Sequence, residues 1–314
     1  MINSITAGVL SFLVDGARTM IIAGTRSSGK TSLLGALMVE QMRSNRIITI
    51  EDTLELPVDQ LRELGYDIQS MKVRSVITGG EGEVAAEQGV RTSLRLGDSA
   101  LVVGEVRSKE ALALWEAMRI GALAKSVMGT IHGADPYSVY DRVVNDLGVP
   151  KTSFKATDIV VVANPVTSSS GLERWRRVVQ VSEVRKFWED DPLREKGFAD
   201  LLAYDTKKDE LIPTDALTEG ESEIIKAIGA RVKEWAGNWP AIWENIQLRA
   251  KMKQKLVDVA NSSGNKELME APFVVMANDE FHKLSSLVTK EVGHPDPKRI
   301  YSQWEHWLEK AVKK

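Results

Sequence analysis

Short, almost wholly apolar runs alternate with helix-like stretches over the first half of this 314-residue chain, and this alternation limits the possible folds more than any other feature. A strand that is buried on both faces is apolar throughout, whereas a half-exposed strand alternates. Strands that alternate with helices predict a mainly parallel, doubly wound sheet. The candidate strands are Thr19–Ala23, Arg46–Ile50, Lys72–Val76, Ala100–Gly104, Ser126–Ile131 and Asp158–Ala163.

The composition changes near residue 170, since 16 of the 23 glycines precede this point and seven of the eight tryptophans follow it. The run Arg176–Arg185 predicts a further strand, and Leu201–Tyr204 with Leu211–Ile212 predicts a small hairpin. Beyond residue 214 the apolar residues recur at helical spacing. We therefore expect a core over residues 1–170, a strand and hairpin extension over 171–213, and a helical subdomain over 214–314.

The overall composition excludes several classes of protein. The chain has no cysteine, a formal charge of −3 and no apolar run as long as a membrane span. Disulfides, iron–sulfur clusters and thiol nucleophiles are therefore excluded. The near-neutral charge argues against a protein that mainly wraps nucleic acid. The stretch Met1–Val14 lacks the basic start of a signal peptide, so we expect a soluble intracellular protein.

The segment from residue 24 to residue 31 fits the phosphate-loop pattern of Gly, four residues and Gly-Lys-Ser/Thr. Its glycines let successive N–H groups point at phosphate oxygens, and the following helix adds its dipole. Lys30 would reach the β- and γ-phosphates, and the Thr31 hydroxyl would bind Mg²⁺. The alternative is a glycine-rich turn with an ordinary surface lysine. The expected nucleotide-binding residues are Gly24, Thr25, Arg26, Ser27, Ser28, Gly29, Lys30, Thr31 and Ser32.

Three carboxylates follow the apolar run Ile47–Ile50, namely Glu51, Asp52 and Glu55. Acids at the carboxyl end of a strand in an open α/β sheet lie beside the ligand crevice, where one of them could activate a water molecule. The same acids could instead begin a helix and interact with its dipole. Their spacing leaves both interpretations open.

Two further apolar runs end in candidate site residues. Glu105 follows Leu101–Gly104, as the acid that serves Mg²⁺ or its water does in many phosphate sites, although many strands end in an acid. His132 follows the run that ends at Ile131, where it could sense the γ-phosphate. A single histidine is more often structural, so this residue alone does not decide between the two roles.

Taken in order, the motifs GTRSSGKT, IEDTLE, VGEVR and TIHG resemble the Walker A loop, Asp box, Walker B box and His box of the ATPases of type II and type IV secretion, pilus assembly and archaellum machines. The later stretch with RWRR and VSEVR, followed by the acidic hairpin Tyr204–Glu210, is similar to the archaeal branch. The resemblance is specific over residues 18–145 and weak beyond 213.

The resemblance implies a P-loop NTPase of RecA-like fold, with helices on both faces of the sheet, that hydrolyses ATP with Mg²⁺. By this resemblance Glu55 is the catalytic base, Glu105 acts with Thr31 at the metal, and His132 links nucleotide state to shape. Arg95 lies where the family has an arginine before its Walker B strand. The candidates for an arginine that acts in a neighbouring subunit are Arg74, Arg91, Arg95 and Arg107.

The family also implies partners. Its members form homo-hexamers through an N-terminal domain and act on a membrane platform protein at the cytoplasmic face. Because the phosphate loop here begins at residue 24, we expect a C-terminal ATPase domain that forms a hexamer only when such a domain is present, and no nucleic-acid partner.

Two departures from the family pattern concern loops at the motifs. Gly97-Asp98-Ser99 replaces an Arg-Pro-Asp sequence, and Gly133 replaces the alanine after the histidine.

Two alternative functions stay open, a nucleic-acid-stimulated P-loop motor and a nucleotide-gated interaction module without turnover. The filament or cargo served is not defined by the sequence.

Overall fold

The structure is a computed structural model that describes residues 1–73, 85–119 and 125–313. Its strands are β1 (Thr19–Gly24), β2 (Ile47–Glu51), β3 (Ile68–Lys72), β4 (Ala100–Val103), β5 (Val127–His132), β6 (Ile159–Thr167), β7 (Arg174–Val184), β8 (Phe198–Asp205) and β9 (Glu210–Pro213). Its α-helices are α1 (Ser4–Asp15), α2 (Lys30–Val39), α3 (Val58–Glu63), α4 (Ala86–Ser93), α5 (Glu110–Arg119), α6 (Pro136–Asp141), α7 (Lys151–Phe154), α8 (Asp215–Thr218), α9 (Glu223–Gly229), α10 (Trp239–Ser263), α11 (Ala271–Val292) and α12 (Pro297–Ala311).

The nine strands form one sheet in the order β3-β2-β4-β5-β1-β6-β7-β8-β9. Strands β1 to β6 pair in parallel, whereas β7, β8 and β9 join as an antiparallel extension. All four residues from Met20 to Ala23 are inaccessible to solvent, so both faces of β1 are covered. The predicted fold class, a mainly parallel P-loop sheet with helices on both faces, is confirmed.

One predicted strand was misplaced. The sequence indicated a strand over Lys72–Val76, but β3 ends at Lys72, and residues 74–76 lie outside the described residues. β3 is an edge strand in which only Ile68 is buried. It therefore lacks the continuous apolar run that marks the central strands. The helix α1 has no counterpart among the predicted elements.

Two compact units divide the chain. The first consists of Met1–Ile2, Gly16–Met38 and Arg43–Ser222, and it contains the whole sheet. The second consists of Asn3–Asp15, Val39–Met42 and Glu223–Lys314. The units differ from the sequence-based boundaries in three respects. α1 and the short segment Val39–Met42 belong with the C-terminal helices, and the first unit continues to Ser222 rather than ending near 213.

In the second unit, α10, α11 and α12 share an apolar core, in which the indole of Trp304 is fully buried and donates a hydrogen bond to the carbonyl oxygen of Ala277 at 3.0 Å. Beside α1 the interior is charged. Arg249 on α10 is 7% exposed and donates to the carboxylate of Asp15 at 2.6 Å and to the Ser11 hydroxyl at 3.0 Å. No helix among the described residues is both long and apolar enough to cross a bilayer.

Candidate functional site

The phosphate-loop segment connects the end of β1 to the start of α2 in the first unit. Gly29 has φ +94°, in the region that favours glycine, and a Cβ atom on Gly24 would lie 2.1 Å from the carbonyl oxygen of Ala163. The sequence therefore needs glycine at both positions to form this loop. Thr25, Arg26, Ser27 and Ser32 are exposed, while Ser28 is fully buried.

The Lys30 ammonium lies within its own loop. Its Nζ donates to the carbonyl oxygens of Gly24 at 3.1 Å and Thr25 at 3.0 Å, and the residue is only 9% exposed. Burial lowers the pKa of Lys30, and the negative charge of Glu105 opposes this effect. A lysine held among loop carbonyls is not an ordinary surface lysine, which was the alternative interpretation of this segment.

The structure separates the three acids that follow Ile50. Glu51, the last residue of β2, is 2% exposed, and its Oε1 accepts hydrogen bonds from the backbone N–H groups of Glu55 at 2.9 Å and Leu56 at 3.0 Å. Burial raises the pKa of Glu51 in spite of these bonds. Glu51 therefore fixes the path of the loop from residue 52 to residue 56, and none of these three acids begins a helix, since α3 starts at Val58.

Glu55 is exposed and faces the phosphate loop. Its Oε2 accepts a hydrogen bond from the Thr31 hydroxyl at 3.1 Å. The loop held by Glu51 thus brings an accessible carboxylate to the first turn of α2. Thr31 and Glu55 both line a small pocket together with Glu51, Asp52, Thr53, Gly104, Glu105 and Arg107.

Glu105, His132 and Arg107 form a second group at the same edge of the sheet. The Oε1 of Glu105 lies 3.1 Å from Nε2 of His132, and its Oε2 accepts a hydrogen bond from Arg107. Arg107 also donates to Asp52 at 3.1 Å, which connects the segment after β4 to the segment after β2. The hydrogen bond that Arg107 donates to Glu105 raises the pKa of Arg107.

His132 is the last residue of β5, and its side chain is about half exposed. Burial, followed by the positive charge of Lys30, lowers its pKa. The lowered pKa favours the neutral form of the imidazole, whose Nε2 lies beside the Glu105 carboxylate.

The other predicted arginines are not part of this group. Arg91 forms an ion pair with Glu87 on the exposed side of α4 at 3.2 Å, and Arg95 is exposed. Arg74 lies outside the described residues. Of the four candidate arginines, the structure places Arg107 beside the predicted acids.

Asn164 was not predicted as a site residue. It follows the buried part of β6, and its Oδ1 accepts a hydrogen bond from the backbone N–H of Thr25 at 3.3 Å. Its Nδ2 donates to the carbonyl oxygen of Ala134 at 2.9 Å. One amide thus connects the phosphate loop to the segment after His132. The signal in the sequence is a polar residue directly after the apolar run that ends at Ala163.

A phosphate loop between a buried strand and a helix, with acids and a histidine at the ends of neighbouring parallel strands, defines the P-loop NTPase class of fold. The model of the family described as type II/IV secretion system protein matches residues 1–192. The chain belongs to this family, as its motifs predicted.

Several proteins are similar to this chain. An uncharacterized protein of Methanocaldococcus jannaschii is 27% identical over 240 residues, which cover 72% of this chain and 79% of that protein. Protein VirB11 of Agrobacterium fabrum is 27% identical over 191 residues, covering 60% of this chain and 53% of VirB11. The chain thus spans about half the length of this VirB11 relative.

Among solved structures, the VirB11 ATPase from the Brucella suis type IV secretion system, in complex with sulphate, superposes with a TM-score of 0.44 at 22% identity. The superposition covers 55% of this chain and 50% of that chain. The Legionella pneumophila ATPase DotB gives a TM-score of 0.42 at 19% identity, covering 54% and 46% respectively.

Proposed function

We propose that this chain is an ATP-hydrolysing motor domain that powers a type II or type IV secretion, pilus or archaellum-like machine. Family membership and the similarity to ATPases of type IV secretion support this proposal. The observation that carries it is the position of Lys30, whose ammonium lies inside the glycine-containing loop on two carbonyl oxygens. A phosphate chain can replace these carbonyls as the partner of the ammonium.

ATP would bind along Gly24–Ser32 at the start of α2. The backbone N–H groups of the loop and the positive end of the helix both favour negative charge there. On binding, Lys30 would exchange neutral carbonyl acceptors for anionic phosphate oxygens, which adds the Coulomb attraction between opposite charges to its hydrogen bonds. The loop therefore gains interaction energy from the ligand without needing another cation in its interior.

The residues at this end of the sheet also fit Mg²⁺. The Thr31 hydroxyl and the Glu105 carboxylate line one pocket, and both offer the hard oxygen ligands that Mg²⁺ prefers. In such sites one or two protein oxygens hold the ion together with phosphate oxygens and waters. Bound there, Mg²⁺ supplies positive charge that neutralises the phosphates.

Glu55 would serve as the general base. It is exposed, its carboxylate lies 3.1 Å from the Thr31 hydroxyl, and Glu51 fixes the backbone that carries it. Glu55 accepts the proton of the attacking water. The Glu105 carboxylate lies 3.1 Å from the His132 ring, so a change in the charge near Glu105 would act on this ring. We assign His132 the role of linking nucleotide state to the shape of this edge.

The further properties of the family are also proposals for this chain. We propose that it acts as part of a homo-hexamer when joined to an N-terminal domain, at the cytoplasmic face of a membrane and through a platform protein. We also propose that the chain belongs to the archaeal branch of this family.

An ATPase assay of the full chain tests the proposal. Lys30→Ala should abolish turnover and weaken ATP binding, whereas Lys208→Ala, which removes an exposed lysine from the β8–β9 turn, should leave both unchanged. Equal hydrolysis by the parent and Lys30→Ala would show that the phosphate loop does not support catalysis.

A further inference from the structure

Strands β6 and β7 extend past the phosphate loop as a two-stranded arm. The last residue of β1, Gly24, pairs with Ala163, yet β6 continues to Thr167. This part of β6 pairs with the four residues from Arg174 to Arg177 on β7. Four residues of strand span about 13 Å. Since β5 lies on the opposite side of β1, the arm flanks the loop on the side away from His132.

Arg176 of this arm lies directly against the loop. A Cβ atom on Gly29 would be 3.4 Å from Cδ of Arg176, so the aliphatic stem of the arginine passes over the backbone that would surround a phosphate. The residue is exposed. Among the described residues, no hydrogen bond or ion pair involves its guanidinium.

The next residue on β7, Arg177, has a carboxylate as its hydrogen-bond partner. Arg177 points to the other face of β7, where its Nε and Nη2 donate to the two carboxylate oxygens of Asp209, both at 2.7 Å. Arg176 contacts the phosphate loop instead, and no acid among the described residues pairs with it. The carboxylates of the site, Glu55 and Glu105, follow strands β2 and β4 on the other side of β1.

This distribution of charge suits an elongated anion. The end of the anion next to the acids is the reacting end, and the rest of the chain of phosphates passes over the loop toward the arm. A guanidinium presents several N–H donors in a plane and binds phosphate oxygens in pairs. We infer that Arg176 is a second cationic ligand of the phosphate chain, supplied by the β6–β7 arm of the same subunit. This inference rests on the proposed function.

Calorimetric titration with ATP and, separately, with inorganic tripolyphosphate tests the inference, both in the presence of Mg²⁺. Arg176→Ala should weaken the binding of both ligands about tenfold, the loss expected for one partly exposed charge-assisted contact. Arg176→Lys should recover part of the loss. The matched control is Arg174→Ala, which removes the same charge on the same face of β7 but two residues farther along the arm, and it should change the affinities less than about twofold.

Each outcome separates this inference from the proposed function. If Lys30→Ala loses binding while Arg176→Ala binds both ligands like the parent, the inference is wrong and the phosphate loop stands. A loss for ATP but not for tripolyphosphate would place Arg176 on the nucleoside and would also overturn it. If the parent chain binds neither ligand, both proposals fail. Melting curves of each variant exclude a folding defect, and none is expected because the side chain is exposed and unpaired within the described residues.

Discussion

Replacing Glu51 and Glu55 by glutamine, one at a time, tests whether the two acids of the Asp box have different roles, one structural and one catalytic. In Glu51→Gln the amide oxygen can still accept the N–H groups of Glu55 and Leu56. The path of the loop should therefore persist, and turnover should stay within a few-fold of the parent rate. Glu55→Gln keeps the shape of the accessible side chain but removes its basicity. A general base contributes roughly 10²–10⁴-fold, or about 3–5 kcal/mol of barrier, so hydrolysis should fall by that factor while ATP binding remains.

Glu51→Ala provides the structural counterpart. This change removes Oε1, the oxygen that accepts both loop N–H groups, and the N–H of Leu56 lies in a buried position. Losing a hydrogen bond to a charged group costs about 1.5–3 kcal/mol. The cost of burying the carboxylate, which raises its pKa, offsets part of that loss, so we expect a net destabilisation of about 2–4 kcal/mol.

Steady-state ATPase rates, ATP titration and urea unfolding followed by circular dichroism measure the three quantities for each variant. The expected order of turnover is parent, Glu51→Gln, then Glu55→Gln. An inactive, fully folded Glu51→Gln beside a Glu55→Gln of parental activity would refute the assignment and make Glu51 the base.

Two further changes address the surroundings of these acids, and a third concerns a histidine of the second unit. Glu105→Gln should retain ATP binding and lose hydrolysis, seen as stoichiometric nucleotide binding without phosphate release; release at the parent rate would contradict its role. Asn164→Ala should weaken ATP binding about two- to tenfold, because it removes the amide that connects the Thr25 N–H of the phosphate loop to the carbonyl of Ala134; an unchanged dissociation constant would argue against this role of Asn164. Burial lowers the pKa of His282 in the second unit, so its contribution to stability is present above about pH 6.5 and is lost as the pH falls through the lowered pKa. The melting temperature of His282→Gln should therefore fall less than that of the parent between pH 7.5 and pH 5, and parallel curves would exclude this residue as the cause.

The parallel core could be predicted from the sequence because its strands are buried on both faces. Each residue of Met20–Ala23 is apolar and inaccessible, so the pattern in the sequence and the burial in the structure coincide. β3 escaped prediction for the opposite reason. It lies at the edge with only Ile68 buried, and its polar residues resemble those of a loop.

The acids of the site were predicted as a group but not by role. Glu51 and Glu55 are the same residue type four positions apart. Only the backbone path shows that the Glu51 carboxylate accepts N–H groups of its own loop, while the Glu55 carboxylate faces Thr31. Asn164 and Arg176 were missed because their position depends on how far β6 and β7 continue past β1. The length of β6 and β7 beyond β1 depends on their antiparallel pairing, and the apolar pattern of the parallel core does not predict this pairing.

The second unit consists of three separate chain segments, and this affects how it can fold during synthesis and how it can be expressed alone. α1 is synthesised before α10, which begins more than roughly 200 residues later and whose Arg249 donates a hydrogen bond to Asp15 of α1. Phe12 of α1 also packs against the ring of Trp235, which precedes α10. At about 5–20 residues per second, the apolar side of α1 waits about 10–40 s for its partner during synthesis. A fragment that starts at Glu223 would likewise lack Ser11, Asp15 and Glu40, which are the partners of Arg249 and Lys253. A helical unit intended for separate expression therefore has to carry both α1 and the segment Val39–Met42, which contains Glu40.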